Sequence, residues 1–138
     1  MTTDWVATTK SLSASMRELR GGSPDVMKAF VGLAQSALQP KALDVKTKEL
    51  IALAIGVSIR CDDCIAFHAK AAVEQGASSA EIFETLGMAI YMGAGPSVMY
   101  ATHAIDAYRQ FAEPKERNAR ASASAAESEP KSMPKGLA

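Results

Sequence analysis

Residues 44–76, DVKTKELIALAIGVSIRCDDCIAFHAKAAVEQG, contain the clearest helix signals of the chain. Asp44 can cap a helix of about 15 residues whose apolar side chains recur at helical spacing. A second helix begins near Cys61, where the following acidic residues favour a positive helix N-terminus, and it ends at Gly76. The stretch therefore predicts two consecutive helices joined by a corner near Arg60.

The remainder of the chain carries similar signals and no convincing strand. The pair SP at residues 23 and 24 offers a hydroxyl cap followed by a proline in the first helical turn. Ser78 and Glu81 have the spacing of a capping box and predict the start of a fifth helix. The segment GAGP at residues 93–96 ends that helix, and a last helix follows it and ends at Phe111. The prediction is an all-α fold, a compact bundle of about six helices.

Composition and charge exclude several classes of protein. The chain has 138 residues, and 15 Lys and Arg balance 15 Asp and Glu, so no basic surplus indicates a nucleic-acid partner. The longest apolar stretch, residues 50–59, is too short to span a bilayer, and residues 1–10 lack the pattern of a signal peptide. We therefore expect a cytoplasmic protein with no membrane partner. Alanine, with 26 of 138 residues, favours closely packed helices over an all-β sandwich.

The chain divides into a helical domain, residues 1–112, and a tail, residues 113–138. The tail has three prolines, many small and charged residues and no aromatic residue. Such a segment cannot bury enough apolar area to offset its ordering entropy, so we expect it to be disordered or solvated. Because the short helices leave a thin core, we expect the domain to form a homo-oligomer.

The candidate chemistry lies in the only two cysteines, Cys61 and Cys64. A CxxC pair in the first turn of a helix permits a disulfide. A disulfide that closes so short a loop restricts the unfolded chain little and therefore adds little stability. A redox or metal-binding role is thus favoured over structural cross-linking. The helix N-terminus favours the thiolate form, whereas Asp62 and Asp63 oppose it by charge repulsion. The sequence leaves the balance of these two effects open.

Two further side chains belong with the cysteines. His68 follows Cys64 by four residues, which places both on one helix face, where the imidazole can take the thiol proton. Glu49 can fold back toward His68 across the helix corner and orient its ring, or it can be a solvated carboxylate paired with neighbouring lysines. His103 has no motif partner and is predicted to serve packing or an interface. The methionines, including Met88, are predicted to fill the core or a subunit interface.

Glu49, Cys61, Cys64 and His68 at this spacing match a known signature. Together with the flanking segments KTKELIALA, IAFH and MGAGP, at residues 46–54, 65–68 and 92–96, the pattern resembles the AhpD-like branch of the carboxymuconolactone decarboxylase superfamily. The likeness covers roughly residues 4–111, nearly all of the predicted helical domain.

This resemblance implies an all-helical protomer that forms dimers, trimers or hexamers and acts as a thiol-dependent peroxidase or disulfide reductase. Cys64 would attack the hydroperoxide and become a sulfenic acid, and Cys61 would supply a proton and resolve the sulfenate as a disulfide. Glu49 and His68 would form a proton relay. An external thiol would then reduce the pair, with no cofactor or metal required.

One position departs from that pattern, because Asp63 stands where the best-studied peroxidase members carry a second histidine. The departure favours an alternative, a weakly active or non-enzymatic helical oligomer whose dithiol senses redox state. A third interpretation is a zinc-binding helical protein, with Cys61, Cys64 and His68 as three ligands and Glu49 as a fourth.

Overall fold

The computed structural model describes residues 2–128, without the side chains of residues 115–117, 127 and 128. These residues form five helices and no strand, which confirms the predicted all-α fold. None of the helices in this part of the chain has both the length and the apolarity needed to cross a membrane. The helices, in chain order, are α1 (Trp5–Gly22), α2 (Pro24–Leu38), α3 (Val45–Ser58), α4 (Asp62–Glu74) and α5 (Ser79–Ser128).

The predicted fifth and sixth helices are one element with a kink. Ala94 has φ 54° and ψ −146°, which is not helical, and Pro96 follows it inside α5. A side chain on Gly93 would collide with the hydroxyl of buried Ser97, so glycine permits the tight approach of the two helical segments at this point. The predicted break is therefore confirmed, and the kink divides α5 into the two helical segments that the sequence predicts as the fifth and sixth helices.

The helix ends follow local chemistry with one exception. The Asp44 carboxylate accepts a 2.7 Å hydrogen bond from the backbone N–H of Thr47, as expected for a cap. The Ser78 hydroxyl and the Glu81 carboxylate exchange hydrogen bonds with each other's backbone N–H at 3.1 and 2.8 Å, which confirms the capping box. Ser23 makes no side-chain cap bond, so that expectation was wrong. Its backbone N–H instead ends α1, and the same residue therefore serves both helices.

The core lies where α3, α4 and α5 pack against one another, and α1 crosses this group. Its large buried side chains are few and alanines fill the remainder, so the helices approach closely. Helix α2 buries only Met27 and leaves Phe30 and Leu33 exposed. The core consists of Trp5, Leu53, Val57, Ile65, Ile82, Leu86 and buried alanines of α4 and α5, with Ala77 between them.

The predicted tail begins where burial ends. Ala112 is the last buried side chain among the described residues, and α5 continues as an exposed helix through residues 118–126. The first part of the tail is thus helical and solvated. Residues 129–138 lie outside the described part of the chain, and the division at residue 112 stays a prediction.

Candidate functional site

The two cysteines lie at the corner between α3 and α4. Arg60 turns the chain there with φ 59°, and Cys61 then occupies the N-cap position of α4. The Cys61 sulfur accepts a hydrogen bond of 3.2 Å from the backbone N–H of Cys64. The two residues are joined in a disulfide, with their Cα atoms 5.2 Å apart. The first turn of α4 therefore holds both sulfurs together, in the place that the sequence predicted.

A glycine on α3 permits the close approach of α4 at this corner. A Cβ atom at Gly56 would lie 3.3 Å from the Cβ of Cys64 and 3.6 Å from the backbone nitrogen of Ile65. The first distance is tighter than an ordinary contact and the second is ordinary, so a side chain at position 56 would press on Cys64. Gly56 thus sets the position of Cys64 against α3. The sequence carries a signal of this approach, a glycine within a helical pattern five residues before Cys61.

Glu49 and His68 are in direct contact. Nδ1 of His68 lies 2.7 Å from Oε2 of Glu49 and donates its proton to the carboxylate. The Glu49 side chain is 8% exposed and that of His68 is 33% exposed. The carboxylate therefore fixes the ring from inside the protein and leaves Nε2 as the nitrogen for proton exchange. The hairpin of α3 and α4 brings these residues together as the sequence suggested.

The alternative partners of Glu49 are engaged elsewhere. Nζ of Lys46 lies 2.7 Å from Oε1 of Glu81 and links the start of α3 to the start of α5. The hydrogen bond from Lys46 lowers the pKa of Glu81, and the same contact raises the pKa of Lys46. Nζ of Lys48 donates to the carbonyl oxygens of Ala37 and Gln39 at 2.8 and 2.6 Å. Glu49 is thus a buried partner of His68 and not a solvated partner of lysine.

Cys64 and His68 face a shared cavity, here called the apolar groove. It has a volume of about 840 Å³ and lies between α1, α2, α3 and α4. Asp63 also lines the groove, whereas no residue of α5 does. A substrate or reductant with an apolar body would therefore reach Cys64 from this side. The apolar lining includes Leu12, Met16, Phe30, Ile51, Ile55 and Phe67.

A second histidine–carboxylate pair lies on another side of the same turn. Nδ1 of His103 is 2.7 Å from Oδ1 of Asp62, which lies between the two cysteines. The His103 ring also packs against Tyr100 and Trp5, with centroid distances of 4.9 and 6.0 Å. The predicted packing role of His103 is confirmed, but the expectation that it has no partner in the motif was wrong. The two residues are 41 positions apart, so no local spacing could have indicated the pair.

Within residues 2–128, no group of three or more histidine, cysteine or acidic side chains is arranged to bind a metal ion. Both sulfurs are joined to each other, and zinc binds thiolates. The zinc interpretation would therefore need the reduced pair. It stays a hypothesis that elemental analysis of a freshly reduced sample tests.

Comparison with known proteins identifies the family. The model of the carboxymuconolactone decarboxylase family matches residues 24–107, which contain all four candidate site residues. The chain belongs to the carboxymuconolactone decarboxylase family. This family includes AhpD-like members, so the resemblance inferred from the signature is confirmed.

Two relatives are bacterial proteins. An uncharacterised protein of Haemophilus influenzae is 42% identical over 108 residues, which are 78% of this chain and 96% of the relative. An uncharacterised protein of Cupriavidus necator is 37% identical over 105 residues, 76% of this chain and 93% of the relative. Both matches therefore span nearly the whole of the relative and leave about a quarter of this chain unmatched.

Solved structures of the carboxymuconolactone decarboxylase family share the fold. A family protein from Legionella pneumophila superimposes with a TM-score of 0.77 at 44% identity, covering 78% of this chain and 96% of that one. A family protein from Thermotoga maritima superimposes with a TM-score of 0.73 at 31% identity, covering 80% of this chain and 94% of that one. A part in an antioxidative response has been suggested for that protein.

Within this family fold, the four predicted site residues occupy one helical hairpin. Glu49 comes from α3, Cys61 caps α4, and Cys64 and His68 lie one helical turn apart on α4. Sequence reasoning missed the role of two neighbouring residues, Gly56 behind Cys64 and His103 bonded to Asp62.

Proposed function

We propose that this chain is a thiol-dependent antioxidant oxidoreductase that reduces hydroperoxides through a dithiol/disulfide cycle of Cys61 and Cys64. The observation that carries the proposal is the hydrogen bond between His68 and buried Glu49, one helical turn from the closed cysteine pair. A structural disulfide needs no oriented imidazole beside it, whereas a reacting thiol does. The antioxidative role suggested for the Thermotoga maritima relative is consistent with this chemistry.

The cycle starts from the reduced pair. The thiolate of Cys64 attacks the hydroperoxide, the O–O bond breaks, and an alcohol leaves as Cys64 becomes a sulfenic acid. The thiol of Cys61 then attacks that sulfur, forming the disulfide and releasing water. An external dithiol reduces the disulfide to two thiols and is itself oxidised. Each catalytic cycle therefore consumes one hydroperoxide and one equivalent of dithiol.

His68 moves the proton in this scheme. Because Nδ1 donates to Glu49, Nε2 accepts the proton of Cys64 and later delivers it to the leaving oxygen. Glu49 stabilises the imidazolium that forms between these steps, because its carboxylate lies 2.7 Å from the ring. The backbone N–H groups at the start of α4 favour a thiolate on the same turn. One of these N–H groups bonds to the Cys61 sulfur, so the assignment of Cys64 as the nucleophile and Cys61 as the resolving thiol rests on His68, one helical turn from Cys64.

We further propose that the working form is a cytoplasmic homo-oligomer, a dimer, trimer or hexamer. Several large apolar side chains of α5 are exposed on the protomer, and Met92 is 76% exposed. The methionines predicted to fill a core or an interface, Met88, Met92 and Met99, are not in the protomer core. An exposed apolar surface of this kind is typical of a subunit interface.

The test compares hydroperoxide consumption by the wild type, Cys64→Ser and Cys61→Ser in the presence of a dithiol donor. The wild type should turn over and Cys64→Ser should be inactive. Pre-reduced Cys61→Ser, freed of dithiol and treated with hydroperoxide, should accumulate a sulfenic acid that a dimedone label detects. Equal rates for the wild type and Cys64→Ser would refute the proposal.

A second candidate function is redox sensing without turnover, which the acidic residue Asp63 in the groove beside Cys64 favours because its charge repels a thiolate. Steady-state assays with several hydroperoxides separate the two functions. In excess dithiol an enzyme would consume many equivalents of hydroperoxide per molecule, whereas a sensor, which oxidises once per molecule without dithiol, would add little to the consumption by dithiol alone.

A further inference from the structure

We propose that His103 is a positioning residue for the cysteine pair, acting through Asp62 to make the disulfide easier to reduce. The inference rests on the proposed dithiol cycle and concerns its energetics. Nδ1 of His103 donates to Oδ1 of Asp62 at 2.7 Å, and Asp62 directly follows Cys61. The pair is thus a contact between α5 and the turn that must carry a thiolate.

The two acidic residues between the cysteines oppose the reduced state. A carboxylate close to a thiolate repels it and raises the thiol pKa, which favours the disulfide. Asp62 and Asp63 are adjacent on the first turn of α4, so both act on the same sulfurs. A partner that compensates one of these charges therefore stabilises the reduced pair and raises its reduction potential.

The carboxylates of Asp62 and Asp63 have different neighbours. Asp63 lines the apolar groove together with Cys64 and His68. Asp62 instead bonds to His103 on α5, a helix that contributes nothing to the groove. The bond therefore draws the Asp62 charge toward α5 and supplies a proton donor to it, while Asp63 faces the substrate side.

The His103 ring has packing partners besides Asp62. Its ring packs between Tyr100 and Trp5, at centroid distances of 4.9 and 6.0 Å. Trp5 is buried, and its indole N–H donates to Oδ2 of Asp106 at 3.0 Å. The imidazole therefore has contacts with α1 and α5 that do not involve Asp62. It can thus orient the carboxylate of Asp62, which is the more exposed of the two residues.

The test measures the reduction potential of the pair at neutral pH by equilibration in dithiothreitol or glutathione buffers, followed by thiol alkylation and mass analysis. His103→Leu keeps an apolar side chain against Trp5 but removes the donor. Because both partners are partly exposed, 40% for His103 and 50% for Asp62, screening limits the effect. We expect the equilibrium to move toward the disulfide about three- to tenfold, or about 14 to 30 mV more negative.

A double-mutant cycle keeps the test independent of folding effects. In an Asp62→Asn background, His103→Leu should leave the potential unchanged, because the charge that His103 compensates is gone. His103→Asn, which retains an N–H donor near the Nδ1 position, should stay within about twofold of the wild type. A change below twofold for His103→Leu, or the same change in the Asp62→Asn background, would overturn the inference.

Asp63→Asn is the matched control. It removes a neighbouring charge that does not bond to His103, so it should raise the potential by the same amount in the wild type and in His103→Leu. Coupling between positions 63 and 103 as strong as that between 62 and 103 would also overturn the inference. None of these measurements needs hydroperoxide turnover. A wild type that fails to consume hydroperoxide while the 62–103 coupling is present would refute only the proposed function.

Discussion

Replacing Glu49 by glutamine removes the charge that orients His68 and keeps the shape of the side chain. The carboxylate is 8% exposed and lies 2.7 Å from Nδ1, so solvent screens this interaction only weakly. A hydrogen bond to a charged group contributes about 1.5 to 3 kcal/mol. If that energy stabilises the imidazolium during proton transfer, its loss slows the reaction about 10- to 100-fold, at about 1.4 kcal/mol per factor of ten.

The assay is single-turnover oxidation of the pre-reduced pair by excess hydroperoxide, followed by rapid alkylation. Glu81→Gln is the control, because it is the same substitution at a surface carboxylate whose partner is Lys46. It should react at the wild-type rate. A Glu49→Gln variant that retains its fold and reacts within about threefold of the wild type would refute the proton relay. An equal loss of rate in Glu81→Gln would refute the assignment of the effect to the site.

Three further predictions follow from the packing and charges. Gly56→Ala should lower the free energy of unfolding by about 1 to 3 kcal/mol in urea titrations, because its Cβ would lie 3.3 Å from that of Cys64. Gly32→Ala is the control and should not destabilise the protein, because nothing lies within 4 Å of its added Cβ. Lys46 lowers the folded-state pKa of Glu81 below its ordinary 4.5, so the stability from this pair is complete above that pH and is lost as the pH falls through the folded pKa. Urea midpoints of the wild type and Lys46→Met should differ near pH 6 and converge in acid; a constant difference would contradict this. In size-exclusion chromatography the protein should elute well above 14.5 kDa, and Met92→Glu should elute later; a wild-type monomer at micromolar concentration would contradict the oligomer.

Local chemistry made the cysteine hairpin predictable from the sequence. The Asp44 cap and the left-handed Gly76, with φ 81°, act within a few residues, so they mark the ends of α3 and α4 without knowledge of the fold. The short corner between those helices makes them neighbours, which brought Glu49 within reach of His68. These features depend on sequence separations of fewer than twenty residues.

The features that sequence reasoning missed depend on packing between distant segments. The bond between Asp62 and His103 joins α4 to the segment of α5 that follows the kink at Ala94. The importance of Gly56 appears only when α4 lies against it. The apolar groove forms from four helices, none of which encloses it alone. Periodicity assigns each helix a buried face but does not state which helix covers it.

The indole of Trp5 has a practical consequence for studies of this protein. It is the only tryptophan in the sequence, and its ring centroid lies 6.0 Å from that of His103. The buried indole also donates to Asp106 of α5, so the intrinsic emission of the unlabelled protein reports on the contact between α1 and α5. Loss of the packing between α1 and α5 can thus be followed in real time by emission alone, with no dye and no added chromophore.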